Sequence, residues 1–153
     1  MSIGIIFQHF WVEQKHESEL LAYKNALDLI EKLPNSVPVL SFDNTKIEID
    51  QRIKQKFNIS QIKNIDITQT ESCKLFLKEW IHKNNLTTIY IAGLHFEYCV
   101  MAVCDFLKQI CYEEKFSWEN NFKVRVIKEC TAFVQKDSFW FISTEEVIKH
   151  TGL

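Results

Sequence analysis

Leu86 to Leu107 reads LTTIYIAGLHFEYCVMAVCDFL, and the fold follows from it. Thr88-Ile89-Tyr90-Ile91-Ala92 is a short apolar run rich in β-branched and aromatic residues, the composition of a buried strand. Gly93 breaks the run, and Leu94-His95-Phe96-Glu97-Tyr98 makes a short linker. From Cys99 to Cys111 the chain is apolar on nearly every side, with Asp105, Lys108 and Gln109 as the polar exceptions, which predicts a buried helix. Cys99 then stands in the first turn of a helix that follows a strand. Unpaired backbone amides and the helix dipole favour a thiolate over a thiol at such a place. Parallel α/β sheets open their ligand crevice there as well, at the carboxyl ends of the strands.

Upstream, Ser2 to Phe7 is predicted to be the first strand, followed by a loop that carries His9. Within Glu13 to Leu33, the residues Leu20, Tyr23, Leu27 and Ile30 recur three or four apart, an amphipathic helix that Pro34 ends. Val37 to Phe42 reads as a second strand, with Pro38 tolerable near its start. A short helix is expected around Ile49 to Phe57 and a weak strand over Ile62 to Ile67. Thr68-Gln69-Thr70-Glu71 is a capping box, and the helix it opens buries Cys73, Phe76, Leu77, Trp80 and Ile81 before Asn84-Asn85 closes it. Downstream, Tyr112 to Phe122 is a surface insertion or helix extension, and Lys123 to Ile127 and Phe139 to Ile142 are strands. Ser143-Thr144-Glu145-Glu146 is a second capping box, opening a terminal helical turn. Strands alternating with helices predict a three-layer α/β/α, Rossmann-like fold, with a mostly parallel sheet and the Ile89 strand near its centre.

The 153 residues suit a single domain, 1–153, with a real core. Hydrophobic content of 46% and charged content of 25% are those of a soluble globular protein. A net charge of −2 gives no reason to expect nucleic acid or an anionic membrane as a partner. No apolar run is long enough to span a bilayer, and MSIGIIFQHFW lacks the basic region and cleavage site of a signal peptide. Five cysteines, an odd number at irregular spacing, fit a reducing compartment, so a cytoplasmic location is expected. No CxxC pair occurs, and neither a metal nor a cofactor is expected. The three glycines, Gly4, Gly93 and Gly152, cannot write a dinucleotide fingerprint or a phosphate-binding P-loop.

Ile89 to Ala92, Gly93, Glu97, Cys99-Val100 and Ala102 form an ordered pattern: apolar strand, Gly, linker with an acidic residue, Cys-Val, small-residue helix. In this the chain resembles the isochorismatase-like cysteine hydrolases, the superfamily that includes nicotinamidases. VIKECTA (126–132) is similar to that family's strand leading into an acidic-small-small turn, with Glu129 in the acidic place. ISTEEVI (142–148) is similar to its C-terminal strand-and-helix signature. Between the two, the family's intervening helix is shortened or missing, and the chain is shorter than is typical.

The resemblance implies that Cys99 is a nucleophile acting on a small molecule. It also implies an Asp general base at the end of the first strand and a Lys before the capped helix. No acidic residue precedes Glu13, and Phe7 or Gln8 falls in the Asp place. Asp66 falls in the Lys place, with Lys63 three residues upstream. His95 and His9 are candidate replacements for the base, since a His can take a thiol proton. The expected catalytic set is Cys99, His95 and Lys63, with His9, Phe96 and Glu97 as substrate contacts; Glu97 also suits a helix N-terminal cap. The competing readings are an inert buried thiol at Cys99 and ordinary polar loop histidines. Two functions stay open: a hydrolase with an altered triad, or a fold member that has lost catalysis and serves as a binding protein, as a homo-oligomer. Trp118, Phe139, Trp140 and Phe141 belong to ordinary core packing or to an apolar partner surface.

Overall fold

The computed structural model describes residues 2–8, 16–42, 55, 70–93, 100–114, 122–132 and 141–152. Its strands are β1 (Ile3–Gln8), β2 (Val39–Phe42), β3 (Thr88–Gly93), β4 (Lys123–Thr131) and β5 (Phe141–Ile142). Its helices are α1 (Glu17–Lys32), α2 (Thr70–Asn84), α3 (Met101–Glu113) and α4 (Thr144–Thr151). The strands form one parallel sheet in the order β2-β1-β3-β4-β5. The Ile89 strand, β3, is central, and β1 is its hydrogen-bonded neighbour, as the alternation of elements predicts.

Successive side chains of a strand point to opposite faces. Ile5 and Phe7 of β1 therefore join Tyr90 and Ala92 of β3 in one apolar cluster, covered by Ala22, Ala26, Leu29 and Ile30 of α1 and Val147 of α4. Ile6 joins Ile89, Ile91, Val124 and Val126 in a second cluster, covered by Leu77 and Trp80 of α2 and Val103, Leu107 and Ile110 of α3. Right-handed crossovers require this split, because the chain builds leftward from β1 to β2 and rightward from β3.

Local signals set the element ends. Pro38 has no N–H to give, but its carbonyl accepts from Ile5 N–H at 3.0 Å, and β2 begins one residue later. Asn85 adopts φ 51°, the left-handed region that ends a helix, and two bonds complete the motif. Leu86 N–H donates to Ile81 O at 3.0 Å and Asn85 N–H to His82 O at 3.2 Å. Ser143 Oγ accepts from Glu146 N–H at 3.1 Å, so the second capping box opens α4, which runs two turns rather than one. The Thr68 cap and the expected elements around Ile49 to Phe57 and Ile62 to Ile67 fall outside the described residues, Gln55 excepted.

Two expectations need correction. Leu20 is 52% exposed, and α1 instead packs on a stripe through Ala22, Tyr23, Ala26 and Ile30. Small alanines let the helix lie close to the sheet, which a search for large apolar residues overlooks. The fourth strand also does not stop at Ile127. It runs to Thr131 through an irregularity: Ile91 pairs with Val126 and Gly93 with Thr131, so two steps on β3 oppose five on β4. The odd surplus reverses the pleat, and Ile127, Cys130 and Ala132 all enter the α1 cluster. Asn25 Nδ2 of α1 donates to Glu129 O at 2.8 Å within this bulge.

Gly4 sits where β1 is crossed most closely. A Cβ there would lie 2.7 Å from both Leu86 Cδ1 and Trp80 Cη2. We expect Gly4→Ala to destabilise the fold by about 1–3 kcal/mol through overpacking, read as a lower urea midpoint at unchanged m-value.

Candidate functional site

Strand order reverses between β1 and β3, and ligands of doubly wound sheets bind beyond the carboxyl ends at such a switch point. Three strand ends meet there. Gln8 is in register with Gly93, and Gly93 with Thr131. Gly93 O accepts from Ala132 N–H at 3.2 Å, and the Thr131 hydroxyl donates to Ile127 O at 2.8 Å. Val100 is fully buried with helical backbone (φ −66°, ψ −47°), immediately before α3. It belongs to the cluster on the Ile6 face of the sheet.

Cys99, His95, Lys63, His9, Phe96 and Glu97, the residues singled out from the sequence, lie outside the described residues, as does Asp66. The frame that flanks them bears on the missing carboxylate. Phe7 is fully buried in the α1 cluster, on the face away from Val100. Position 8 has the parity of Ile6 and stands opposite Gly93, at the mouth of the switch point. Of the two positions open to the Asp, Phe7 is thus the one held in the core. Ile5, Ile6 and Phe7 are all fully buried, so no alternation in the sequence separates the two positions.

Four cysteines are described, Cys73, Cys104, Cys111 and Cys130, and all are buried. Burial pushes the Cys104 thiol up to about 12 and Cys111 up to about 11. Burial, with the charges of Glu129 and Asp28 behind it, pushes Cys130 up further. These thiols are held in the unreactive protonated form at neutral pH. On the surface, Glu113 of α3 accepts from Lys74 at 2.7 Å and from Lys78, both on α2. The Lys74 and Lys78 hydrogen bonds hold the Glu113 carboxyl down to about 2. Among the described residues no group of three or more His, Cys, Asp or Glu could hold a metal ion, and no helix is long and apolar enough to cross a membrane. A cavity of about 790 Å³ opens at the opposite end of the sheet, beside Thr88, Tyr90 and Arg125.

No protein-family model matches the chain, and no curated protein matches it significantly. Solved structures do. The YcaC gene product of Escherichia coli, an octameric hydrolase of unknown specificity, is 12% identical with TM-score 0.55, over 97% of this chain and 68% of that one. An isochorismatase from Pseudomonas putida KT2440 is 7% identical with TM-score 0.56, over 97% of this chain and 80% of that one. The fold is isochorismatase-like. YcaC from Pseudomonas aeruginosa, solved with hexane-2,5-diol and covalent acrylamide, shares the isochorismatase-like fold at 14% identity and TM-score 0.54, over 98% of this chain and 71% of that one.

Two measurements follow from the thiols. Iodoacetamide at neutral pH should leave Cys104, Cys111 and Cys130 unmodified in the native protein and label Cys99 first, as read by peptide mass spectrometry; prior labelling of a buried thiol would count against this. Stability should also fall in alkali. Unfolded thiols ionise near 9.0, whereas the buried ones keep their protons to about 11 or above, so the folded state binds the extra protons. The stabilisation is complete below about pH 9 and is lost as pH rises towards the folded values, so the urea midpoint should drop between about pH 8 and about pH 10.5.

Proposed function

We propose that this chain is a small-molecule hydrolase of the isochorismatase-like type with weakened proton transfer, acting through Cys99 on a small amide or ester. The observation that supports it most is Val100, fully buried on the Ile6 face and already helical before α3, with Cys99 next to it in the chain. In this reading His95 takes the thiol proton and the sulfur adds to the substrate carbonyl. The bond to the leaving group then breaks as that group receives the proton, and water releases the acid from the thioester. Lys63 steadies the negative charge that develops on the carbonyl oxygen, and His9, Phe96 and Glu97 contact the substrate. A neutral amide at position 8 cannot shuttle a proton as a carboxylate does, so turnover is slow. That same position favours a second reading, a binding protein that has lost catalysis.

The neighbouring structures add two supports. The Pseudomonas aeruginosa YcaC holds covalent acrylamide, an electrophile that adds to thiolates, and acrylamide is accordingly a probe for Cys99. The Escherichia coli YcaC is an octamer, and the exposed Leu20, Leu21, Leu75 and Tyr112 of this chain suit burial between copies of a homo-oligomer. In this reading residues 1–153 form a single domain, held with reduced thiols in the cytoplasm.

The test is ammonia release from nicotinamide and a panel of simple amides, beside a Cys99→Ala control. We expect at most residual release by the native protein, lost in the control. Gln8→Asp should raise it, by up to about 10²–10⁴-fold if acid-base transfer is what is missing. Phe7→Asp should instead impair folding, because it buries a carboxylate among apolar side chains. Release that persists in Cys99→Ala would refute the nucleophile, and no release from any amide by native or Gln8→Asp protein would favour the binding protein.

A further inference from the structure

The amino ends of the strands carry a second concentration of polar groups, remote from the switch point. In the first two rows of the sheet, Ile3, Thr88 and Lys123 stand in register, then Ile5, Tyr90 and Arg125. Farther along, Phe7, Ala92 and Ile127 on this face are covered by α1 and α4. Nearer the amino ends the cover parts, leaving the 790 Å³ cavity between the Ser36–Pro38 turn and the last turns of α4. Glu146 and His150, one helical turn apart, line the α4 wall, and Ile3 and Pro38 supply apolar surface.

Charge selects the occupant. Lys123 and Arg125 lie two residues apart on one strand, so both project to the same face with Cα atoms about 7 Å apart. Like charges so placed repel, and the crowding eases when an anion comes between them. Glu146 offsets one of the two cations, but it also accepts from the Ser143 hydroxyl at 3.2 Å and sits at the positive amino end of α4. The carboxyl end of α4 adds only a partial negative charge and carries its own Lys149 and His150. Among the described side chains that line the cavity, two cations face one carboxylate, and Arg125 also donates to Val124 O at 2.9 Å. Tyr90 is buried, and its hydroxyl lies 2.9 Å from His150 Nδ1, which fixes the floor against the wall. Burial holds the phenol in its protonated form.

We propose that this cavity is a binding site for a small organic monoanion, a carboxylate with an apolar or aromatic body. The carboxylate sits between Lys123 and Arg125, and the body lies against Ile3 and Pro38. The site is separate from the switch point, at the other end of the same strands.

Calorimetric titration with benzoate, and with benzamide as its neutral isostere, tests this. Benzoate should bind saturably in the millimolar range or tighter, and benzamide at least about tenfold more weakly. Lys123→Gln and Arg125→Gln should each weaken benzoate by about tenfold. Lys123 is exposed, so its variant keeps the test valid if Arg125→Gln folds poorly. Cys99→Ala should leave benzoate binding unchanged. No saturable benzoate binding, equal affinity for benzamide, unaltered binding in both Gln variants, or loss in Cys99→Ala would each overturn the proposal.

Discussion

The pairing of β1 with β3 is the constraint on which the rest depends. Six consecutive residues of β1 stand in register with six of β3, from Ile3 opposite Thr88 to Gln8 opposite Gly93. Because β2 lies on the other side of β1, the chain must reverse direction across this pair. The reversal sends α1 to one face and α3 to the other, so the carboxyl ends of β1 and β3 lie at the switch point. Burial of Ile5, Ile6 and Phe7 on both faces makes the register costly to slip, since a one-residue shift would exchange the two apolar layers. The position of Gln8 at the crevice is a consequence of that same burial.

Much of this frame was legible in the residues. TIYIA reads as a strand because it is β-branched, aromatic and bounded by Gly93, and it is one. Ser143 and Asn85 mark helix ends by chemistry that depends on nearest neighbours alone, and both act as read. Features that depend on tertiary contact were less visible. The packing stripe of α1 runs through Ala22 and Ala26, whose value lies in the close approach they allow. The extension of β4 to Thr131 rests on a bulge, and its support comes from Asn25, more than a hundred residues earlier. The candidate site was legible only as a pattern around Cys99, with Phe7 and Gln8 undivided until the pleat assigned them opposite faces. The amino-end cavity left no local mark, because Lys123, Arg125, Glu146 and His150 converge only when β4 and α4 are brought together.

The two ends of the sheet are chemically unlike. At the carboxyl end the described groups are backbone amides and carbonyls, with the Thr131 hydroxyl bonded to Ile127 O. At the amino end, charged side chains from β4 and α4 face one another across an open space. Tyr90 stands on β3 at the floor of the cavity, and Gly93 ends the same short strand at the switch point. Between them, rows of fully buried apolar residues form a stiff partition of close-packed side chains.

The register of β1 also carries a consequence for synthesis of the chain. Ile3 waits for Thr88, eighty-five positions later, before its second edge is paired. Until then β1 can pair only with β2, which leaves its other hydrogen-bonding edge, along Ile5, Ile6 and Phe7, open. Such pairing across a long intervening segment is slow, because loop closure must precede any gain from contact. β1 is therefore made well before its pairing is complete, and the interval leaves an apolar template open to other chains.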